Sequence, residues 1–314
     1  MNAVWRDYLG LGLALLVLVL AFGVLTEHFF ARATFATIAN QIPAAVLVAV
    51  GMTFVLIVGG IDLSVGSVLG LSGSVLGVCL GPLGFSLPLG LCASLLTGLL
   101  CGGLNGLLTV RVGVPSFIVT LGMMEIARGA AYTVSRSQTA YLGARVEWIA
   151  EASMLGLSAS TLLAMAVAGL GQLILSRTVF GRYVVAIGTN EEAVRLSGID
   201  PRPVKWIVFA ASGVLSALAA IVHTARLASA DPNAGIGLEL QAIAAVVIGG
   251  TSLMGGRGSV VHSLFGVVII AVLGSGLAQM GAAEPVKRII TGCVIVAAVV
   301  VDRYRNRGGA PGGA

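Results

Sequence analysis

Ionisable side chains inside apolar stretches are the first candidates for chemistry in this chain. Asp62 follows Gly59-Gly60 in the run MTFVLIVGGIDLSVGSVLGLSG, and Glu125 lies three residues before Arg128 in PSFIVTLGMMEIARGAAYTV. Charged groups in such stretches usually face the interior of a helix bundle or water. The i,i+3 spacing puts Glu125 and Arg128 on one helix face. The pattern therefore predicts either a buried ion pair or a place on a path for a solute.

Uncharged polar side chains in neighbouring apolar stretches extend this set. Amides and hydroxyls suit a neutral polar solute, although they could equally bond neighbouring helices. No cluster of cations for an anionic solute accompanies them. The candidate residues on a solute path are Asn40, Gln41, Asp62, Ser64, Ser67, Asn105, Thr120 and Glu125.

Motifs for catalysis or cofactor binding do not occur in the sequence. It contains no GxxxxGK[ST] phosphate loop, no GxSxG turn and no HExxH motif. The three histidines lack ligand spacing, and the four cysteines lie in apolar segments without a metal or disulfide pattern. We therefore expect no enzyme, no metal and no bound cofactor.

Composition identifies the class of protein. Of 314 residues, 57% are hydrophobic and only 10% charged, against about 25% charged in an average soluble domain. The 44 glycines fit helices that approach closely in lipid. A soluble enzyme, a disulfide scaffold, a disordered protein and a nucleic-acid binder are excluded, which leaves an all-α polytopic membrane helix bundle in the lipid bilayer.

Apolar segments long enough to span a bilayer, which needs about 20 residues, are predicted at ten places. They are 8–25, 36–59, 61–80, 88–110, 115–134, 159–177, 204–227, 239–255, 260–280 and 286–302. Most of the 18 Lys and Arg residues then fall in loops on the side of the N-terminus. By the positive-inside rule, both termini are predicted to be cytoplasmic. Residues 1–307 form one transmembrane domain, and 308–314 form a flexible tail.

Two glycine pairs interrupt the helical pattern and resemble each other. Gly59-Gly60 precedes Asp62, which we expect to cap the next helix with help from Ser64. Gly249-Gly250 stands in a similar run, AVVIGGTSLMGGRGSVVHSLFG. Transporters often carry irregular segments at corresponding places of internal repeats. Broken helices and an internal repeat are therefore predicted, with parallel and inverted copies both open.

The loop 178–203 is the longest polar segment on the predicted cytoplasmic side. Its core, TNEEAVRLSGI, offers Thr189 or Asn190 as a helix N-cap, acidic residues in the first turn, and Gly198 as the end. This predicts a short amphipathic helix with small and apolar side chains that need a docking partner.

Four stretches carry a resemblance to a known family. They are GMTFVLIVGGIDLSVGSVLGLSG at 51–73, NGLLTVRVGVPSFIVTLGMMEIARG at 105–129, GRYVVAIGTNEEAVRLSGI at 181–199 and ADPNAGIGLELQAIAAVVIGGTSLMGGRGSV at 230–260. The sequence resembles the permease subunits of sugar-type ATP-binding-cassette (ABC) importers, the ribose permease family. Relatives that move nucleosides or branched-chain amino acids share part of these motifs.

The resemblance implies a larger machine in a bacterial cytoplasmic membrane. Its other parts would be a second permease subunit, identical or different, a cytosolic double-cassette ATPase that binds the ATP, and an extracytoplasmic sugar-binding protein. A secondary transporter, which would more often carry several unpaired carboxylates, and a membrane enzyme stay as alternatives. The resemblance makes 190–199 the coupling helix, with contacts to the ATPase at Thr189, Asn190, Glu191, Glu192, Ala193, Leu196, Gly198 and Ile199.

Overall fold

The structure is a computed structural model that describes residues 3–151, 153–154 and 157–307, so the predicted tail 308–314 lies outside it. The chain is predominantly α-helical. Its α-helices are α1 (Ala3–Leu25), α2 (Arg32–Ile57), α3 (Val65–Leu80), α4 (Leu87–Leu107), α5 (Ser116–Ser135), α6 (Ala144–Glu151), α7 (Ala159–Arg177), α8 (Val179–Thr189), α9 (Glu191–Leu196), α10 (Arg202–Leu227), α11 (Leu238–Ile248), α12 (Val260–Gln279) and α13 (Glu284–Arg307). A π-helix, Leu108–Val112, extends α4.

Six helices in the described part of the chain are long and apolar enough to cross a membrane. They are α2, α4 with its π-helical extension, α5, α7, α10 and α12. The ten predicted spans are therefore not all present as full-length apolar helices. The predicted span 239–255 is wrong in extent, because α11 ends at Ile248 before the glycine pair. The span 61–80 is likewise shorter, because its helix begins only at Val65.

The main core surrounds α2 and α10, the two most buried of these six helices. Apolar side chains such as Leu47, Leu56, Phe209 and Val246 are fully buried there and join α2, α10 and α11. Helices α7, α8 and α12 pack against the same core. Residues on the outside of the bundle are instead large and apolar, as a lipid-facing surface requires.

Helices α4 and α10 approach each other more closely than side chains would allow. A Cβ atom at Gly98 or Gly102 of α4 would clash with the backbone carbonyl oxygen of Gly213 or Phe209 in α10. Small residues four apart permit such contact between backbones in lipid, where association depends on close packing. The close helix packing that the glycine content predicts is therefore present in this helix pair.

Side-chain and backbone hydrogen bonds identify the two ends of the bundle. At one end, Gln279 bonds both Thr26 (3.2 Å) and Thr34 (2.7 Å), joining the end of α12 to α1 and α2. At the other end, the amide of Gly256 donates to the carbonyl of Ile57 (2.8 Å) and packs against Thr189. We call the second the coupling end, because the segment 189–199 lies there, and the first the far end.

The far end carries the little β-structure found in the described residues. Strand β1 (Ala140–Tyr141) pairs antiparallel with β4 (Ser229–Ala230), and β2 (Ser153–Met154) with β3 (Leu157–Ser158). Helix α6 packs there on α10, and Arg145 donates to the carbonyl of Leu80 at the end of α3. Between α5 and α7, the described residues therefore form a short helix and short strands at this end.

The two glycine pairs end their helices in the same way, as the internal similarity predicts. Gly59 and Gly250 have φ of +82° and +85°, a conformation that glycine adopts without penalty. The amides of Gly60 and Thr251 then donate five residues back, to Val55 and Val246, which is a Schellman ending. Both α2 and α11 run toward the coupling end, and α3 and α12 return to the far end. The two copies are therefore parallel in this structure.

Candidate functional site

A buried polar cluster lies where α2 and α3 are interrupted. Oδ1 of Asp62 accepts hydrogen bonds from the amide (3.0 Å) and the hydroxyl (2.6 Å) of Ser64. Oδ2 accepts from the hydroxyl of Ser212 in α10 (2.9 Å). Asn105 in α4 donates from Nδ2 to the Ser64 hydroxyl oxygen (2.9 Å). The buried polar cluster Asp62, Ser64, Asn105 and Ser212 therefore ties the break 58–64 to two spanning helices.

This geometry changes the part predicted for Asp62. The N-cap residue of α3 is Ser64, and neither side chain accepts a bond from a first-turn amide of α3. The capping predicted for Asp62 is shifted toward the break, because its carboxylate accepts from the backbone amide of Ser64, the residue just before α3, and not from an amide inside the helix. Asp62 and Asn105 are also almost fully buried, so neither faces open space. The Oδ1 atom of Asn105 has no hydrogen-bond partner and is the cluster's one free acceptor among the described residues.

Helix α5 holds the backbone of the break through two hydroxyls. Ser116 accepts from the amide of Ile61 (3.0 Å), and Thr120 accepts from the amide of Leu63 (3.1 Å). Thr120 also donates to the carbonyl of Ile61 (3.1 Å). Irregular backbone needs such partners where water is absent. Sequence reasoning selected Thr120 as a path residue but missed Ser116 and Ser212, which stand in apolar helices with no local signal of their distant partners.

Arg128 does not pair with Glu125. Its Nη1 atom donates to the backbone carbonyls of Pro232 and of Ala234 (3.0 Å), in the loop 231–237 before α11. In the described part of the chain, the ion pairs within 4.0 Å join Arg195 to Glu192 and Lys205 to Glu191. The predicted pair is wrong because the guanidinium turns toward this loop and away from the exposed face of α5.

The loop 231–237 is held on α3 and α5. A Cβ at Gly70 of α3 would lie 2.9 Å from the carbonyl oxygen of Ala234, so α3 touches the loop backbone directly. Tyr132 of α5 donates to Oδ1 of Asn233 (2.9 Å), while the amide of Asn233 donates to Asp231 (2.9 Å). These contacts place polar loop atoms against two apolar helices.

A polar surface results on one side of the bundle, which we call the α5–loop surface. Glu125 and Asn233 are exposed there, and Arg128, Asp231 and Glu239 are half-buried. The carboxylates of Glu125, Asp231 and Glu239 all interact electrostatically with Arg128. Three acids and one base give the surface a negative balance. A carboxylate halfway along a span is costly against hydrocarbon, so water or another polar surface must cover it.

The remaining predicted path residues belong neither to the buried polar cluster nor to the α5–loop surface. Asn40 and Gln41 are exposed on the far-end half of α2, which continues through a buried Pro43. Ser67 is buried in the first turn of α3. The eight residues thus fall into separate groups, and the structure adds Arg128, Asp231, Asn233 and Glu239. In the described residues, no group of three His, Cys, Asp or Glu side chains could hold a metal ion.

The predicted short helix of the coupling loop is present as α9. Asn190 is its N-cap, and its Oδ1 accepts from the amide of Ala193 (2.9 Å). Thr189, the other candidate cap, ends α8 and donates to the carbonyl of Val185 (2.8 Å). Gly198 follows the helix with φ +82° and ends it as expected.

One side of the coupling segment 189–199 is anchored and the other is free. Val194 is buried and Ile199 half-buried against the main core, whereas Ala193 is exposed and Leu196 is 79% exposed. A cavity of about 800 Å³ lies between the segment and the break 58–64. Its lining includes Gly59, Ile61, Ser116, Glu191, Lys205 and Phe209.

Comparisons with known proteins agree over almost the whole chain. Residues 34–299 match the family model described as branched-chain amino acid transport system / permease component. The ribose import permease protein of Haemophilus influenzae is 39% identical over 93% of this chain and 92% of its own. The ribose import permease protein of Bacillus subtilis strain 168 is 38% identical over 95% and 93%. A solved structure described as a metal-chelate type ABC transporter in an inward-facing conformation shares the fold, with a TM-score of 0.53, 16% identity and coverage of 95% and 98%.

Proposed function

The chain belongs to the branched-chain amino acid transport system / permease component family, and from this membership we propose that it imports a ribose-like monosaccharide as the membrane subunit of an ABC importer. The observation that carries the choice of solute is the identity of 38–39% with two ribose import permeases over more than nine-tenths of each chain. The sequence contains no phosphate-binding loop, so ATP is bound and hydrolysed on a partner subunit.

The α5–loop surface is the part of the chain on which the solute travels. Two observations support this role. Glu125 and Asn233 are exposed although the surrounding exterior is apolar, and their carboxylate and amide oxygens can accept hydrogen bonds from sugar hydroxyls. The buried polar cluster at Asp62 instead fixes the break that positions α3 next to this surface. A second permease subunit, a copy of this chain or a close relative, completes the path on the opposite side.

The coupling end faces the cytoplasm, where the coupling segment docks on a double-cassette ATPase. The exposed Ala193 and Leu196 support this role, because they offer a small apolar surface that no described residue covers. The sugar reaches the far end from an extracytoplasmic binding protein. Ten membrane crossings with both termini cytoplasmic, in a bacterial cytoplasmic membrane, complete the proposal.

The test is reconstitution of the permease with its ATPase and binding protein in liposomes. We expect uptake of labelled ribose or a close relative that needs ATP, and ATP hydrolysis stimulated by the loaded binding protein. Uridine and leucine serve as competitors for the two related solute classes. Import of uridine or leucine without any sugar would refute the choice of solute, and uptake driven by an ion gradient without ATPase would refute the transporter class.

A further inference from the structure

One ion pair connects the coupling segment to a spanning helix. Nζ of Lys205, in the first turn of α10, lies 2.9 Å from Oε2 of Glu191 in α9. The Lys205 side chain is only 17% exposed, whereas the other ion pair of α9, Arg195 with Glu192, has both side chains at least 60% exposed. Glu191 is 48% exposed, so water screens this pair only in part, and it joins two helices whereas Arg195 and Glu192 both belong to α9.

The same face of α10 continues from this pair to the break. Phe209 and Ser212 follow Lys205 at i+4 and i+7, so the three side chains share one face over about 10 Å of helix. Phe209 is fully buried, and a Cβ at Gly60 would lie 2.9 Å from its ring. Ser212 donates to Asp62 in the buried polar cluster. A continuous series of contacts therefore runs from Glu191 to Asp62.

Two routes lead from the coupling segment to the break. Thr189 packs on Gly256, whose amide donates to the carbonyl of Ile57 at the end of α2. Further along the segment, the cavity of about 800 Å³ has Glu191 on its coupling side and Gly59, Gly60 and Ile61 on the other. Helix α10 borders this cavity through Lys205 and Phe209 and so connects Glu191 to the break.

We propose that Glu191 and Lys205 are positioning residues for transport, whose ion pair makes α10 follow the coupling segment. Phe209 and Ser212 then pass this displacement to the break at Asp62, and with it to α3 and the path. The inference rests on the proposed function, because it takes the coupling segment as the contact with the ATPase. It adds the route by which movement leaves that contact.

The experiment measures sugar uptake, ATP hydrolysis and ATPase association in the reconstituted importer. The variants are Glu191→Gln, Lys205→Met and the charge exchange Glu191→Lys with Lys205→Glu. Arg202→Met is the matched control, because it removes an exposed cation three residues earlier on α10 that forms no ion pair with a described residue. We expect Lys205→Met, which lies outside the coupling segment, to bind the ATPase and hydrolyse ATP normally, with sugar uptake per ATP at least about fivefold lower. Glu191→Gln should lower sugar uptake per ATP by a similar factor, and its ATPase association is measured separately because Glu191 is also a predicted contact.

The charge exchange should recover part of the uptake, because it restores an attractive pair in the same place. The control should transport like the unaltered protein. Unchanged uptake per ATP in both single variants would overturn the proposal. Loss of ATPase association together with uptake in Lys205→Met would also overturn it, since the pair would then only shape the docking helix. Failure of the proposed function is separate, because the unaltered chain itself would show no ATP-dependent sugar uptake.

Discussion

Substitution of Ser212 by alanine tests whether the buried polar cluster holds the fold together. The Ser212 hydroxyl is buried and supplies the hydrogen bond to Oδ2 of Asp62 at 2.9 Å. Removal of one partner of a buried hydrogen bond leaves the other unsatisfied, which costs about 1–3 kcal/mol. We expect Ser212→Ala to lower the free energy of unfolding by about 2 kcal/mol.

Thermal unfolding of the purified protein in detergent measures this effect. At about 2 °C per kcal/mol for a chain of this size, the midpoint should fall by about 4 °C. Ser216→Ala is the control, because Ser216 lies one turn further on α10, equally buried, and bonds only the carbonyl of Ser212 in its own helix. Removal of such a bond costs little.

The effect of Ser212→Ala can also be measured in a protein that already carries Asp62→Ala. With Asp62→Ala already present, Ser212→Ala should cost much less, because no carboxylate then needs the hydroxyl. Equal melting of Ser212→Ala and Ser216→Ala, or an undiminished effect of Ser212→Ala beside Asp62→Ala, would show that the hydrogen bond does not stabilise the break.

Three further substitutions test other contacts. Arg128→Met should lower membrane abundance, because the carbonyls of Pro232 and Ala234 lose a charged donor worth about 3 kcal/mol in total. Glu125→Gln should leave the abundance unchanged. Rescue of Arg128→Met by Glu125→Gln would contradict this and show that the two residues form a pair. Gly98→Leu should prevent stable insertion, measured by immunoblot of membranes, because the backbones of α4 and α10 meet there. Gly103→Leu is the control and should be tolerated, because position 103 has room beside Trp206. Equal abundance of the two variants would contradict the close contact of α4 with α10. Ala193→Arg should insert normally but lose ATPase association and uptake, because Ala193 is exposed on the coupling segment. A cysteine at position 193 should crosslink to the ATPase. Normal transport by Ala193→Arg, without a crosslink from position 193, would refute the proposal that the coupling segment docks on the ATPase.

Local signals in the sequence predicted the features that short segments determine. The Gly59 and Gly198 helix endings, the Asn190 cap and six of the predicted apolar spans depend on neighbouring residues, and the structure contains them. The functional surfaces depend on distant contacts, which one sequence does not specify. The i,i+3 spacing of Glu125 and Arg128 was compatible with a pair, but the carbonyls of a loop about a hundred residues away bind the guanidinium.

The attachment of the loop 231–237 has a consequence for how such a permease can diversify. Arg128 donates hydrogen bonds to main-chain oxygens of the loop, which every amino acid supplies. These two bonds therefore do not depend on the identity of the loop side chains. Asn233 and Ile236 are exposed. Exchange of Ile236 leaves these bonds in place, and exchange of Asn233 loses its bond with Tyr132 but keeps the bonds from Arg128. Since we propose that the solute travels on the α5–loop surface, a combinatorial library at these two positions is a practical route to permeases with altered solute preference, selected by growth on the new sugar.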